Sequence, residues 1–264
     1  MLDDDTGLEV IGPGRFLGEI TDRWSVRAPN GGYVASYLTR ALMHESPVPD
    51  PVALNVHYVA PAAPGPATFE VEVLRAGRSH ATLQARLFQG ELVAVALATF
   101  GLRRAGGREL HNLRMPSIPP PEECPARVKV DVPGLMTIGL RFDDRNPPAG
   151  HPDVGGAGGG TAVGGGWKRL LDREIDDLAV PVYMDAWPPS IWGAIGAGAV
   201  FAPTIDLTVH WRATPRLPWH LVWFTTEQLG GGYLVEDGEL WAFDGTLVAQ
   251  SRQLARVIEE GPVS

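Results

Sequence analysis

The chain has 264 residues, with 22 basic and 31 acidic side chains and a formal net charge of −9. That balance argues against a nucleic-acid binder, which needs a basic face to displace counterions, and a hydrophobic share of 44% excludes disorder as the main state. One cysteine, Cys124, rules out an internal disulfide and a cysteine-based metal cluster, and in its proline-rich setting it reads as a spare thiol.

The chain opens M-L-D-D-D-T, without the basic and apolar stretches of a secretory signal, so a cytoplasmic location is expected. Residues 30–44 carry Tyr33, Tyr37, Leu38, Ala41 and Leu42 at helical spacing. Four strand-like runs follow at 53–59, 67–74, 80–88 and 92–100, separated by Pro-Ala-Ala-Pro-Gly, Ala76-Gly77-Arg78 and Gln89-Gly90, all turn chemistry. Residues 116–125 hold five prolines and form neither a helix nor a central strand. Residues 155–166 hold eight glycines and read as a flexible surface loop. They lack the Lys-Ser/Thr or the helix-opening GxGxxG of a phosphate cradle, and the following Trp167-Lys168-Arg169-Leu170 reads as a strand. A second helix is expected over 185–197, then strands at 204–212, 220–228, 233–243 and 247–257. The longest weakly polar run, 191–203, is too short and too glycine-rich for a membrane span.

The two halves echo each other. Gly90-Glu91-Leu92-Val93-Ala94 matches Gly245-Thr246-Leu247-Val248-Ala249 at an offset of 155. Val56-His57-Tyr58 matches Val209-His210-Trp211 at 153, and the helix openings Asn30 and Asp185 differ by 155. Three nearly concordant offsets indicate an internal duplication. Each half is one helix followed by antiparallel strands. A helix of about four turns is too short to cover a flat sheet, so a curved sheet wraps it. Two such units joined edge to edge remove two exposed edges.

Asn30-Gly31-Gly32-Tyr33-Val34-Ala35, Val56-His57-Tyr58-Val59-Ala60-Pro61 and Val71 to Ser79 carry a resemblance in the first half. Thr204-Ile205-Asp206, His210-Trp211-Arg212 and Asp244 to Ala249 carry it in the second. Together these motifs resemble the acyl-CoA thioesterase II family and its thioesterase-like relatives, over about residues 13–258. The resemblance implies an α+β double hotdog, two helix-wrapped antiparallel sheets joined into one continuous sheet. The implied division is an N-terminal hotdog at 1–115, a linker at 116–133, and a C-terminal hotdog at 134–264 with a Gly-rich insertion near 150–166. The implied activity is hydrolysis of a fatty acyl-CoA to a free fatty acid and CoA, with no cofactor. In the family an Asp, a Thr or Ser, and a Gln of the second hotdog orient the water. Those places fall here on Asp185, Thr204 and Gln253. Asn30, Gly31 and Gly32 fall where the acyl group meets the helix start, and glycine permits close backbone approach there.

The repeat maps Asp185, Thr204 and Gln253 onto Asn30, Pro51 and Ala98, so a single chemical centre in the second half is expected, with the first half as packing and acyl wall. Each residue also has an ordinary reading. Asp185 suits a helix N-cap, Thr204 a strand, and Gln253 an outward strand position with Gln250 as competitor. Asp206, two residues beyond Thr204, is expected on the same strand face.

The histidines at 44, 57, 80, 111, 151, 210 and 220 form no i, i+4 or HxH pair, so no metal site is expected. No GxSxG elbow is present. Asp144-Arg145-Asn146-Pro147 with His151 resembles the hotdog hydratase motif D-x-N-P-x-H, with the His seven rather than five places on. Hydratase and non-catalytic acyl-CoA or acyl-chain binding remain the alternatives. CoA phosphates would meet basic residues among Arg75, Arg78, Lys168 and Arg169, and homo-oligomers are expected through sheet edges.

Overall fold

The structure is a computed structural model that describes residues 1–103, 108, 110–129, 136–151 and 160–259. The first half contains α1 (Leu2–Asp5), β1 (Glu9–Gly12), β2 (Arg15–Ile20), α2 (Gly31–Glu45), β3 (Asp50–Tyr58), β4 (Gly65–Ala76), β5 (His80–Gln89) and β6 (Glu91–Gly101). The second contains β7 (Phe142–Arg145), β8 (Val163–Leu170), α3 (Val180–Tyr183), α4 (Trp192–Ile195), β9 (Val200–Phe201), β10 (Thr204–Trp211), β11 (His220–Gly230), β12 (Tyr233–Ala242), β13 (Leu247–Arg256) and β14 (Ile258–Glu259). Twelve strands make one sheet in the order β1-β2-β4-β5-β6-β3-β10-β13-β12-β11-β8-β7, and β9 pairs with β14 apart from it. No described helix is long and apolar enough to cross a membrane.

The expected strands of both halves form, shifted by a few residues at their ends. Alternation drives them. On β5, Ala81, Leu83, Ala85 and Leu87 point inward, and on β6 Ala94, Ala96, Ala98 and Phe100 do. The alanines leave room for the aromatic face of α2, where Tyr33, Tyr37, Leu38, Ala41 and Leu42 are all buried. Full burial of Leu38 or Leu42 contributes about 1.5–3 kcal/mol each. Asn30 caps α2 by accepting the Tyr33 N–H at 3.1 Å.

The halves meet where β3 pairs with β10. Asn55 faces Thr208, and Leu54 and Val56 face Val209 and Leu207. Each pair interchanges under the 153-residue offset, so a pseudo-twofold axis passes between Asn55 and Thr208. The Asn55 Nδ2 donates to Thr208 Oγ1 across it at 2.8 Å.

Three expectations are corrected. Residues 185–197 do not form one helix: α3 lies before Asp185, and only α4 forms within the stretch. A helix begun at Asp185 would need the Pro189 nitrogen to donate to the Asp185 carbonyl, and proline has no N–H. That carbonyl accepts from Asn30 Nδ2 at 3.1 Å instead. The Gly-rich stretch is not wholly a surface loop, because Gly164, Gly165 and Gly166 lie in β8 and pair with β11. A Cβ at Gly166 would sit 2.3 Å from the Arg145 carbonyl oxygen and 2.8 Å from the Trp187 ring, so glycine here serves packing. Residues 155–159 of that stretch and 130–133 of the linker lie outside the described residues. Thirdly, the register shifts between Thr204 and Asp206, a bulge that turns Asp206 to the opposite face from Thr204. Asp206 lines an outer groove with Thr208, His210 and Arg212.

The β1–β2 hairpin was not legible, because β1 is largely exposed and carries no apolar alternation. The proline-rich segment forms one tight turn, at Pro121–Glu123. It packs on the outer side of the second half, where Ile118 and Cys124 cluster with Trp167, Leu221, Trp223 and Trp241. The Trp167 Nε1–H donates to the Pro119 carbonyl at 2.7 Å. That cover explains why residues 220–224 of β11 are buried on both faces.

Candidate active site

Asp185 follows the end of α3 and faces the first turn of α2, an element of the other half. Its Oδ2 accepts from the Gly32 N–H at 2.8 Å and from Asn30 Nδ2 at 2.8 Å. Asp185 is thus not the N-cap of its own helix. It caps the neighbouring one, and that helix's positive N-terminal end favours the ionised carboxylate. Oδ1 faces Thr204 Oγ1 at 3.4 Å.

Thr204 opens β10 and Gln253 lies on β13, two strands paired in the same sheet. The Thr204 hydroxyl donates to Gln253 Oε1 at 2.8 Å. Asp185, Thr204 and Gln253, far apart in sequence, are therefore brought together. Gln250 has the opposite strand parity, and its Oε1 accepts from Arg212 Nε at 2.9 Å on the outer side.

The first half supplies more than packing. Asn30 and Gly32 hold one oxygen of Asp185, so the Gly32 N–H is committed to a carboxylate. The Gly31 carbonyl accepts from the Tyr58 hydroxyl at 2.7 Å. A Cβ at Gly32 would lie 2.4 Å from the Pro181 carbonyl oxygen and 2.8 Å from Asp185 Cβ. Only glycine lets α2 approach that closely.

The chain reading missed the continuation of the network. Gln253 Nε2 donates to Glu236 Oε1 at 2.7 Å, and Glu236 Oε2 accepts the Ser190 N–H at 2.6 Å. Ser190 Oγ is 2.9 Å from Thr226 Oγ1. Glu236 and Ser190 are buried. A signal was present: Leu234, Glu236, Gly238 and Leu240 share the inward parity of β12, and a carboxylate among them breaks the pattern.

Burial pushes the Asp185 carboxyl up to about 6; the Gly32 N–H opposes that shift and the Glu236 charge adds to it. Taken whole, the residue is half-buried. Burial also raises Glu236, against the hydrogen bonds from Ser190 and Gln253. Burial holds the Tyr58 hydroxyl well above its usual range, helped by the charges of Asp185 and Asp206. Among the described residues no three His, Cys, Asp or Glu side chains are grouped as metal ligands.

The hydratase-like pair is not assembled. Asp144 lies in strand β7 and pairs with buried Lys168 at 2.8 Å, whereas His151 Nε2 contacts the Ser117 carbonyl at 3.0 Å. Lys168 is thereby removed from the candidates for CoA phosphates, being 1% exposed.

Family models cover most of the chain. Residues 20–101 match the acyl-CoA thioesterase N-terminal domain, and residues 117–257 match the acyl-CoA thioesterase C-terminal domain. A hotdog-fold protein of unknown function from Alicyclobacillus acidocaldarius superposes with a TM-score of 0.87 at 27% identity, over 99% of this chain and 98% of that one. A thioesterase II candidate from Thermobifida fusca superposes with a TM-score of 0.86 at 30% identity, over 98% and 97%. An uncharacterised protein of Mycobacterium tuberculosis is 25% identical, over 92% of this chain and 90% of its own length.

Proposed function

This chain belongs to the acyl-CoA thioesterase family, and on that premise we propose that it hydrolyses a fatty acyl-CoA to the free fatty acid and CoA, with Asp185 as general base. The observation that carries the reading is the division of labour at Asp185. Oδ2 is held by Asn30 and Gly32, while Oδ1 is turned to Thr204. A carboxylate fixed by one oxygen has the other oriented to take a proton from water.

The water attacks the thioester carbonyl while its proton passes to Asp185 Oδ1. The tetrahedral intermediate collapses with cleavage of the C–S bond. The CoA thiolate leaves and is protonated by the Asp185 carboxyl, which restores the carboxylate. Thr204 holds the water along the attack line together with Asp185, and Gln253 fixes the Thr204 hydroxyl that does so, which removes part of the entropic barrier. A Cβ at Gly31 would lie 3.0 Å from Asp185 Oδ2 and 3.2 Å from the Tyr58 ring, so glycine there makes room for those two side chains beside the base.

Release of free thiol from a chain-length series of acyl-CoAs tests the reading, with wild type and Asp185→Asn side by side. Turnover by wild type that falls by on the order of 10²–10⁴-fold in the variant, the range for loss of a general base, supports it. Acyl-CoA affinity without turnover at any chain length overturns hydrolysis in favour of acyl-CoA binding.

A further inference from the structure

Glu236 sits on the inward parity of β12, directly across from Gln253 on β13. Its place in the first half belongs to Leu83, directly across from Ala98, the counterpart of Gln253. All four side chains are at corresponding points of the two curved sheets. The fold therefore closes with an apolar pair at this point. A carboxylate buried there is unfavourable unless its oxygens are matched by donors. Glu236 is 3% exposed, and both of its oxygens are matched.

The matching fixes a direction. An ionised carboxylate only accepts, so Gln253 turns its NH₂ to Glu236 and its Oε1 to Thr204. That Oε1 also only accepts, so Thr204 gives its single hydroxyl proton to Gln253 at 2.8 Å rather than to Asp185 Oδ1 at 3.4 Å. The Thr204 lone pairs and Asp185 Oδ1 are then both acceptors toward the same place. We propose that Glu236 is a positioning residue that sets the direction of this hydrogen-bond chain, so that Thr204 and Asp185 each accept one hydrogen of the hydrolytic water and leave its lone pair for the thioester carbonyl. The inference rests on the thioesterase reading and adds to it a residue that touches neither substrate nor water.

Reversal of the chain has a specific consequence. In E236Q the new amide accepts the Ser190 N–H through its oxygen and presents its NH₂ to Gln253. Gln253 then turns over, its NH₂ faces Thr204, and the threonine proton is driven onto Asp185 Oδ1. The base is thereby blocked. In the exchanged variant E236Q/Q253E, Gln at 236 donates to Glu at 253, which again only accepts from Thr204, and the direction is restored.

The groups facing Asp185 are Asn30 and Gly32 from α2, Tyr58 from β3, Thr204 from β10 and Gln253 from β13, with Glu236 of β12 behind Gln253. Of these six, only Tyr58 and Glu236 titrate, and Tyr58 does so far above neutrality. Loss of the Glu236 charge therefore also moves the acid limb of the rate profile to lower pH.

The test is steady-state thiol release by wild type, E236Q and E236Q/Q253E as full chains, with thermal unfolding as a control on folding. The expected result is a kcat lowered by about 10- to 100-fold in E236Q with KM nearly unchanged, an acid limb displaced to lower pH, and partial recovery of kcat in the exchanged variant. E236Q with wild-type kcat and pH profile overturns the role of Glu236 alone. So does a folded exchanged variant no faster than E236Q. Absence of turnover in wild type overturns the thioesterase reading itself, and with it the role assigned to Glu236. An unfolded E236Q leaves the decision to the exchanged variant, which retains one carboxylate and one amide at the two positions.

Discussion

Asn30 and Asp185 occupy equivalent places in the two sequence repeats, 155 residues apart, and they bond to each other, Asn30 Nδ2 to Asp185 Oδ2 at 2.8 Å. An internal duplication that folds about a twofold axis brings equivalent positions near that axis face to face. Here one copy keeps an amide donor and the other a carboxylate acceptor. The asymmetry of the pair turns a structural axis into a candidate chemical centre, because two carboxylates there would repel and two amides would supply no base.

The Asp185 carboxyl, raised to about 6 by burial, predicts the pH dependence of activity. kcat/KM rises as pH rises through about 6 and then levels, since only the ionised form accepts a proton. The stability linkage has the opposite sense. The folded value lies above the unfolded one of about 3.9, so the folded state keeps its proton longer. The resulting stabilisation is complete below about pH 4 and is lost as pH rises through about 6. Asp185→Asn removes this dependence, so the variant gains stability relative to wild type above pH 6. Denaturant titrations of both proteins across pH 4–8 check the sign. Parallel curves would refute the shift.

Gly32→Ala tests the close contact between the halves. The new Cβ would meet the Pro181 carbonyl oxygen at 2.4 Å, Asp185 Cβ at 2.8 Å and Val182 Cα at 2.9 Å, none of which is a flexible side-chain end. Relief requires α2 and the Asp185 segment to part. A loss of about 1–3 kcal/mol is expected from overpacking, together with lower kcat as the Gly32 N–H leaves Asp185. Urea unfolding and thiol release on the same preparations measure both. Wild-type values for each would show that the segment yields without disturbing the carboxylate.

Lys168 and Asp144 form a buried ion pair at 2.8 Å, with the ammonium 3.7 Å above the Phe142 ring. Burial depresses the Lys168 pKa, and the Asp144 charge opposes that effect. Lys168→Met alone leaves an uncompensated carboxylate and is expected to destabilise by about 3–5 kcal/mol. Lys168→Met with Asp144→Leu recovers most of that loss. Chemical denaturation of the single and double variants decides it, and equal destabilisation of the two would show that packing rather than charge carries the effect. kcat/KM of the folded double variant stays near wild type, the opposite of what a hydratase-type role for Asp144 requires.

Much of the fold was legible because strand burial is local. Alternation on β5, β6 and the later part of β10 follows from side-chain parity alone, and the 153- and 155-residue echoes disclosed two halves. The second helix was misread because helical spacing after Asp185 says nothing of where its carbonyl finds a donor. The donor is Asn30, in the other half. Asp206 was misread because a one-residue bulge reverses parity and leaves no mark in the residues themselves. Glu236 left a mark, a carboxylate among inward-facing residues, but its meaning lay in the strand beside it.

By itself the sequence determined the repeat, the strand periods, the opening of α2 at Asn30, and the family motifs that single out Asp185, Thr204 and Gln253. Only the tertiary structure decided that the candidate site is shared between the halves, that the Gly32 N–H is held by Asp185, and that a buried glutamate lies behind the glutamine. The reason is physical. Periodicity and capping arise from neighbours a few residues apart, whereas hydrogen-bond direction and burial depend on which donors and acceptors the folded chain brings within 3 Å of one another.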